Sequence, residues 1–237
     1  LAEPDDIVAA ALRVLSPGDS APAPAPAAPL SPSSVSRSLS AVGPLHGRRV
    51  LVTAGPTFED IDPVRFVGNR SSGRMGFEIA AEAKRRGATV TLVAGPTRVA
   101  SPVVDEIVKV RSAAEMHAAV MRAATDVDVV VMAAAVADYT PAHRAGEKIA
   151  KNDGPMTLTL ERTTDILAKL GEMRSRTTDR GPVLVGFAAE TSDAVAKARQ
   201  KLTRKNVDLI VANDVSRADA GFDVETNAVT IVSPDRV

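Results

Sequence analysis

From residue 48 onward, short apolar runs alternate with amphipathic stretches. Nearly continuous Val, Ile, Leu and Ala segments occupy 49–54, 89–94, 106–110, 127–133, 183–188 and 209–212. Runs of this length, without in-and-out alternation, predict parallel strands covered on both faces. Between them, apolar positions recur at helical spacing over 74–86, 113–124, 164–174 and 192–205. The alternation predicts an α/β fold: a Rossmann-like, doubly wound, mostly parallel sheet with helices on both faces. A last apolar run at 228–232 predicts an added strand, for which an antiparallel direction is open.

Residues 1–45 have a different pattern. The stretch 5–15, DDIVAAALRVL, predicts a short amphipathic helix with an acidic start. Residues 16–45 are rich in Pro, Ala and Ser and include APAPAPAAP, which favours extended polyproline II and predicts a linker. A helix followed by a linker reads as the end of a preceding domain, detached from the α/β unit. The start at Leu1 without Met fits a fragment, and the stop at Val237 without a closing helix predicts a shortened C-terminus.

The longest interruption of the pattern is 55–76, GPTFEDIDPVRFVGNRSSGRMG, between the first strand and its helix. A loop that leaves a parallel strand and enters a helix presents free N–H groups and the positive end of the helix dipole to an anion. Gly55, Ser71, Ser72, Gly73 and Gly76 keep the backbone accessible to a phosphate. Arg65, Arg70 and Arg74 supply positive charge, Asn69 a neutral amide, and Glu59, Asp60 and Asp62 an acidic run. Gly55, Gly95, Ala134, Glu190 and Asn213 come after strand ends, so their loops are expected to share one crevice. The polar stretch 139–155, YTPAHRAGEKIAKNDGP, carries Lys148 and Lys151; it reads as a mobile lid over an anionic ligand or as a solvated loop.

Composition narrows the classes. With 29 basic and 29 acidic residues the formal charge is zero, so bulk electrostatics gives no reason for a nucleic-acid or membrane partner. There is no cysteine, hence no thiol nucleophile. His46, His117 and His143 lack zinc-type spacing. No apolar run approaches the roughly 18 residues of a membrane span and no signal peptide is read, so the expectation is a soluble, cytoplasmic protein.

Motifs separate the remaining readings. The glycines are not spaced G-x-G-x-x-G, no carboxylate comes after the second strand, and Tyr139 has His143 four residues on where a short-chain reductase carries lysine. An NAD(P)-dependent reductase is therefore a distant alternative, and no P-loop motif is present. At 133–139, AAAVADY, small residues let a flat ring approach the backbone, and Asp138 can accept from an amine or a sugar hydroxyl. Lys201 and Lys205, four apart on one helix face, can grip a polyphosphate or complement the helix C-terminus. Phe187, in VGFAAET, can pack on a base or in the core.

In their order, the segments 49–76, 133–139, 147–151, 185–191 and 201–214 resemble phosphopantothenate–cysteine ligase, also called phosphopantothenoylcysteine synthetase. That family is the C-terminal half of the bifunctional bacterial coenzyme A biosynthesis protein. The resemblance covers about 46–237, and 1–15 resembles the last helix of the flavin-dependent decarboxylase that precedes it. FMN would belong only to that absent decarboxylase domain. The resemblance implies CTP-dependent ligation of 4′-phosphopantothenate with L-cysteine through an acyl-cytidylate, with Mg2+ accompanying CTP. It implies a homodimer, within a larger assembly with the decarboxylase, and no nucleic acid or membrane partner.

Residue by residue, the resemblance assigns CTP binding to Met132, Ala133, Ala134, Asp138, Lys148, Thr164, Asp165, Ile166, Leu167, Phe187, Lys201 and Lys205. It gives Asn69 and Lys148 the catalytic roles, and places Gly55, Arg65, Asn69, Ser71, Ser72 and Gly73 at the phosphate or substrate. No metal ligand is expected from the side chains. Many members read Lys-Ile-Lys-Lys in the lid; here it is Lys148, Ile149, Ala150 and Lys151, one charge fewer. A non-catalytic nucleotide-binding or oligomerisation module is the alternative reading.

Overall fold

The computed structural model describes residues 4–15, 43–176, 181–190, 193–214 and 229–234. The linker expectation at 16–45 and the starts of two predicted elements, at 192 and 228, fall wholly or largely outside them. In chain order, α1 (Pro4–Leu15) precedes β1 (Arg49–Ala54), which is followed by a hairpin of β2 (Phe58–Asp60) and β3 (Phe66–Gly68). Then come α2 (Arg74–Arg85), β4 (Thr89–Ala94), β5 (Glu106–Lys109), α3 (Ala113–Ala123) and β6 (Val129–Met132). A second hairpin, β7 (Tyr139–Pro141) with β8 (Leu160–Arg162), leads to α4 (Ile166–Ser175). The chain continues through β9 (Val183–Glu190), α5 (Ala194–Lys205), β10 (Leu209–Asp214) and β11 (Val229–Val232).

The main sheet has seven strands in the order β11-β10-β9-β6-β1-β4-β5. All neighbours are parallel except β10 and β11, where Ile210 faces Val232 in antiparallel register. The apolar runs become buried strands: β1 is buried from Val50 to Ala54, and β6 throughout. Alternate residues serve opposite faces. Val50, Val52, Leu92 and Val185 pack with α1 and α2, while Leu51, Val93, Leu184 and Ile210 pack with α3, α4 and α5.

The first helix is not detached. Ile7, Val8, Ala10 and Ala11 are buried in the same core cluster as α2 and the adjoining sheet face. Asp5 pairs with Arg85 at 3.3 Å and Arg86 at 3.1 Å at the seam. Among the described helices, only α1 and α2 cover that face, so α1 fills space the other described elements leave open. Burial of one isoleucine contributes about 1.5–3 kcal/mol, enough to outweigh the exposed charge pairs at the seam.

The sequence pattern predicts neither hairpin. Their strands are three residues long and mostly exposed or half-buried, so no apolar period marks them. The first is held by Phe58 and Phe66, stacked with centroids 3.9 Å apart. The Arg111 guanidinium lies 5.6 Å from the Phe58 centroid and donates to Asp60 at 2.6 Å.

Candidate functional site

Strands β1 and β6 are sheet neighbours, yet the chain leaves β1 toward β4 and leaves β6 toward β9. The loops after them therefore diverge and open the crevice expected of a doubly wound sheet. At its floor the loops are joined by backbone. Ala135 N–H donates to the Gly55 carbonyl at 2.9 Å, and Thr57 N–H to the Ala135 carbonyl at 3.3 Å. Two fully buried threonines extend this seam: Thr53 Oγ1 accepts from Ala134 N–H at 3.1 Å, and Thr57 Oγ1 from Ala137 N–H at 2.9 Å. Thr163 donates through its hydroxyl to the Ala137 carbonyl at 2.6 Å and through its N–H to the Asp138 carbonyl at 2.9 Å. The approach to α4 is thereby held beside 133–138.

On the other side of the crevice, Asn69 Nδ2 donates to the Val136 carbonyl at 3.0 Å. This bond brings Asn69 within two residues of Asp138, as a shared site requires. Gly73 begins α2 with φ of 80°, and a Cβ there would sit 3.0 Å from Gly55 Cα. α2 has no side-chain cap and no carboxylate in its first turn, so its positive end is uncompensated locally. Ser71 and Ser72 accept only long bonds, from Gly73 N–H at 3.3 Å and Arg74 N–H at 3.4 Å. Gly55, Asn69, Ser71, Ser72, Gly73 and Ala134 thus lie on segments joined along one seam, with Asp138 exposed two residues beyond Val136.

The other predicted residues lie on the β6, β9 and α4–α5 side. Met132 is buried beside Gly186 in register, and Phe187 occupies the next position, half-buried. Ala133 is also half-buried. Thr164 and Asp165 are exposed, whereas Ile166 and Leu167 are buried core residues; only their backbone is open to a ligand role. Lys205 pairs with Asp165 at 2.9 Å, and Asp165 also accepts from Ala168 N–H at 3.0 Å. Lys201 pairs with Glu190 at 2.6 Å, and Lys197 pairs with the same carboxylate at 3.2 Å. Burial would raise the Glu190 pKa, but the two lysines outweigh it and hold the carboxyl below its usual range. Asp165 obeys the same logic, with Lys205 and Ala168 N–H outweighing its burial. Both carboxylates stay charged and hold their ammonium partners in place.

Lys148 is exposed, in the connection between β7 and β8. Arg65 does not reach toward solvent as a free cation. Its guanidinium donates to Asp62 at 2.5 Å and to the Ile149 carbonyl at 2.8 Å, which sets Arg65 directly beside the β7–β8 connection.

Sequence reasoning registers the acidic run at 59–62 without giving it a task, and does not single out Glu190 as a lysine partner. Thr53 and Thr57 leave no signal beyond their place at a strand end. Among the described residues no three His, Asp or Glu side chains converge in one group.

Residues 45–237 match the model of the DNA/pantothenate metabolism flavoprotein C-terminal domain. The chain is 49% identical over 193 residues to the coenzyme A biosynthesis bifunctional protein CoaBC of Bacillus subtilis, covering 81% of this chain and 46% of that protein. It is 48% identical over 190 residues to a protein from an unknown prokaryotic organism named cysteine/cysteine sulfinic acid decarboxylase, covering 80% of this chain and 52% of that protein. The chain thus spans about half the length of these curated relatives. The crystal structure of the C-terminal domain of a CoaBC protein superposes with a TM-score of 0.66 at 44% identity, over 81% of this chain and 84% of that one.

Proposed function

The chain belongs to the family of DNA/pantothenate metabolism flavoprotein C-terminal domains, and from that premise we propose that it is a CTP-dependent phosphopantothenate–cysteine ligase of coenzyme A biosynthesis. The observation that carries this reading is the joined rim: Asn69 bonded to Val136, Asp138 two residues on, and the open end of α2 across the crevice.

In the first step a carboxylate oxygen of 4′-phosphopantothenate attacks the α-phosphorus of CTP, forming an acyl-cytidylate and expelling pyrophosphate. Two anions must meet, so positioned cations and N–H groups lower the barrier. Lys148, Lys201 and Lys205 take the triphosphate; Glu190 and Asp165 keep the latter two extended before it binds. The base packs at 132–134 and Phe187, Asp138 accepts from the ribose or base, and 164–167 contribute backbone N–H groups. In the second step the amine of L-cysteine attacks the acyl carbon, CMP leaves with the bonding electrons, and the amine proton passes to solvent. Asn69, whose Nδ2 is engaged by Val136, orients the acyl group and transfers no proton. Magnesium is expected to arrive on the triphosphate.

The same reading places 46–237 as the ligase unit and 1–15 as a helix that comes after a flavin-dependent decarboxylase in a longer, cytoplasmic protein, with the ligase units paired as a homodimer. No helix among the described residues is long and apolar enough to cross a membrane.

The test is release of pyrophosphate on mixing the protein with CTP, phosphopantothenate and cysteine. The expected result is one equivalent of pyrophosphate per site from CTP and phosphopantothenate alone, and continuous release only when cysteine is also present. CTP binding without release would instead identify a non-catalytic nucleotide-binding module. Asn69→Asp is expected to bind CTP normally and lose phosphopantothenoylcysteine formation; wild-type product formation would remove Asn69 from the mechanism.

A further inference from the structure

Asp62 is 1% exposed, although the next two residues, Pro63 and Val64, face solvent. A carboxylate is costly to bury unless its oxygens are satisfied, and here both are. Oδ1 accepts from Val64 N–H and Arg65 N–H, each at 2.8 Å, which closes the turn. Oδ2 accepts from Arg65 Nε at 2.9 Å, Arg65 Nη2 at 2.5 Å and, from the lid, Ile149 N–H at 3.1 Å. The same Arg65 Nη2 donates to the Ile149 carbonyl at 2.8 Å. Both backbone polar groups of Ile149 are therefore held by one ion pair. Two further ties lie upstream: Ala145 N–H donates to the Ile61 carbonyl at 2.9 Å, and Arg144 pairs with Asp60 at 3.1 Å. The Arg65 and backbone donors hold the Asp62 carboxyl far below the usual carboxylate range.

We propose that Asp62 is the positioning residue of the lid: through Arg65 and Ile149 it fixes the backbone on which Lys148 stands, and so presents that ammonium group to the nucleotide. The two oxygens divide the work. Oδ1 serves the turn within the loop, and Oδ2 serves the lid. The catalytic half of this statement rests on the ligase reading; the clamp on the lid stands independently of it.

Asp62→Asn separates the two functions. An amide oxygen can still accept from Val64 and Arg65, while its NH2 group opposes the donors of Arg65 and Ile149. In the full chain, amide exchange at Ile149 and tryptic cleavage after Lys148 and Lys151 are expected to accelerate about tenfold or more, reporting local opening. kcat/KM for CTP is expected to fall about tenfold to a hundredfold, as small displacements of a reacting-site group do. Asp105→Asn, which removes a surface carboxylate paired with Lys84 at 2.6 Å, is expected to change neither.

A double-mutant cycle gives the decisive reading. In a Lys148→Ala background, Asp62→Asn should cost no further activity, whereas additive losses would show that Asp62 does not act through Lys148. Unchanged exchange and cleavage in Asp62→Asn would overturn the clamp itself. If that variant does not fold, Ile149→Pro removes the N–H that Asp62 accepts; cleavage after Lys151, the tryptic site this proline leaves intact, should then accelerate likewise, and its failure to do so counts equally against the clamp. If the wild-type protein releases no pyrophosphate, the ligase reading fails, while exchange and proteolysis still decide the clamp.

Discussion

The connection after β1 and the connection between β7 and β8 meet at one rim but are built from opposite materials. The first buries its polar groups: Thr57 is 0%, Glu59 4% and Asp62 1% exposed, each with bonded partners. The second leaves its charges in water, with Glu147, Lys148 and Lys151 all exposed. Buried polar groups fix geometry because each lost bond leaves an unsatisfied donor or acceptor. Exposed cations are free to meet a ligand because little holds them elsewhere. Loss of a buried polar group in the first connection should therefore register in stability, whereas loss of the exposed Lys148 in the second should register in turnover alone.

The strongest way to break this division is Gly95→Val. A Cβ at Gly95 would lie 1.9 Å from the Pro56 carbonyl oxygen, so the connection after β1 must move. A loss of about 3 kcal/mol is expected, read by urea denaturation; an unchanged midpoint would mean that this connection is not rigid. Next comes Lys148→Ala. Pyrophosphate release should fall about a hundredfold, of the order seen for loss of one charge-stabilising group, with an unchanged thermal midpoint. A shifted midpoint with normal release would reverse the assignment of the two connections.

Glu59→Ala is expected to cost about 1–2 kcal/mol. Its Oε1 accepts from Ala113 N–H at 2.8 Å at the start of α3, a buried donor that alanine cannot satisfy. Measured stability within error of wild type would show that water replaces the carboxylate. The smallest effect concerns acid. Asp62, bonded to Arg65, has a folded pKa below its unfolded value of about 3.9. Its stabilisation is fully present above the unfolded value and lost only as pH falls through the folded one. Protection of the Ile149 amide, corrected for the pH dependence of intrinsic exchange, should be flat from pH 7 to about 4.5. A midpoint near the histidine range would point to a different anchor.

Much of the scaffold was legible because its strands are buried on both faces, and continuous Val and Ile runs admit few other readings. Strand ends moved by only a residue or two, as β6 did when its predicted 127–133 shortened to Val129–Met132. The hairpins were not legible, since Phe58 and Phe66 become partners only after the chain turns between them. At the site, Asn69 and Asp138 could be named from their neighbours, but the counter-ions of Lys201 and Lys205 could not. Glu190 and Asp165 lie 11 and 40 residues away from their lysines, beyond any helical spacing. The buried face of α1 was visible as an apolar stripe at Ile7, Val8, Ala10 and Ala11; what it covers depends on a vacancy beside α2 that no local pattern encodes.

The seating of α1 on α2 changes what the proline-rich segment can be. Leu15 and Gly43, the described residues on either side of it, belong to one packed body. Cleavage between them would turn an intramolecular contact into a bimolecular one, so the helix would stay in its berth only at concentrations above its own Kd. A peptide spanning 4–15 added to the separate 43–237 chain should then find its way back and restore the missing wall of the sheet.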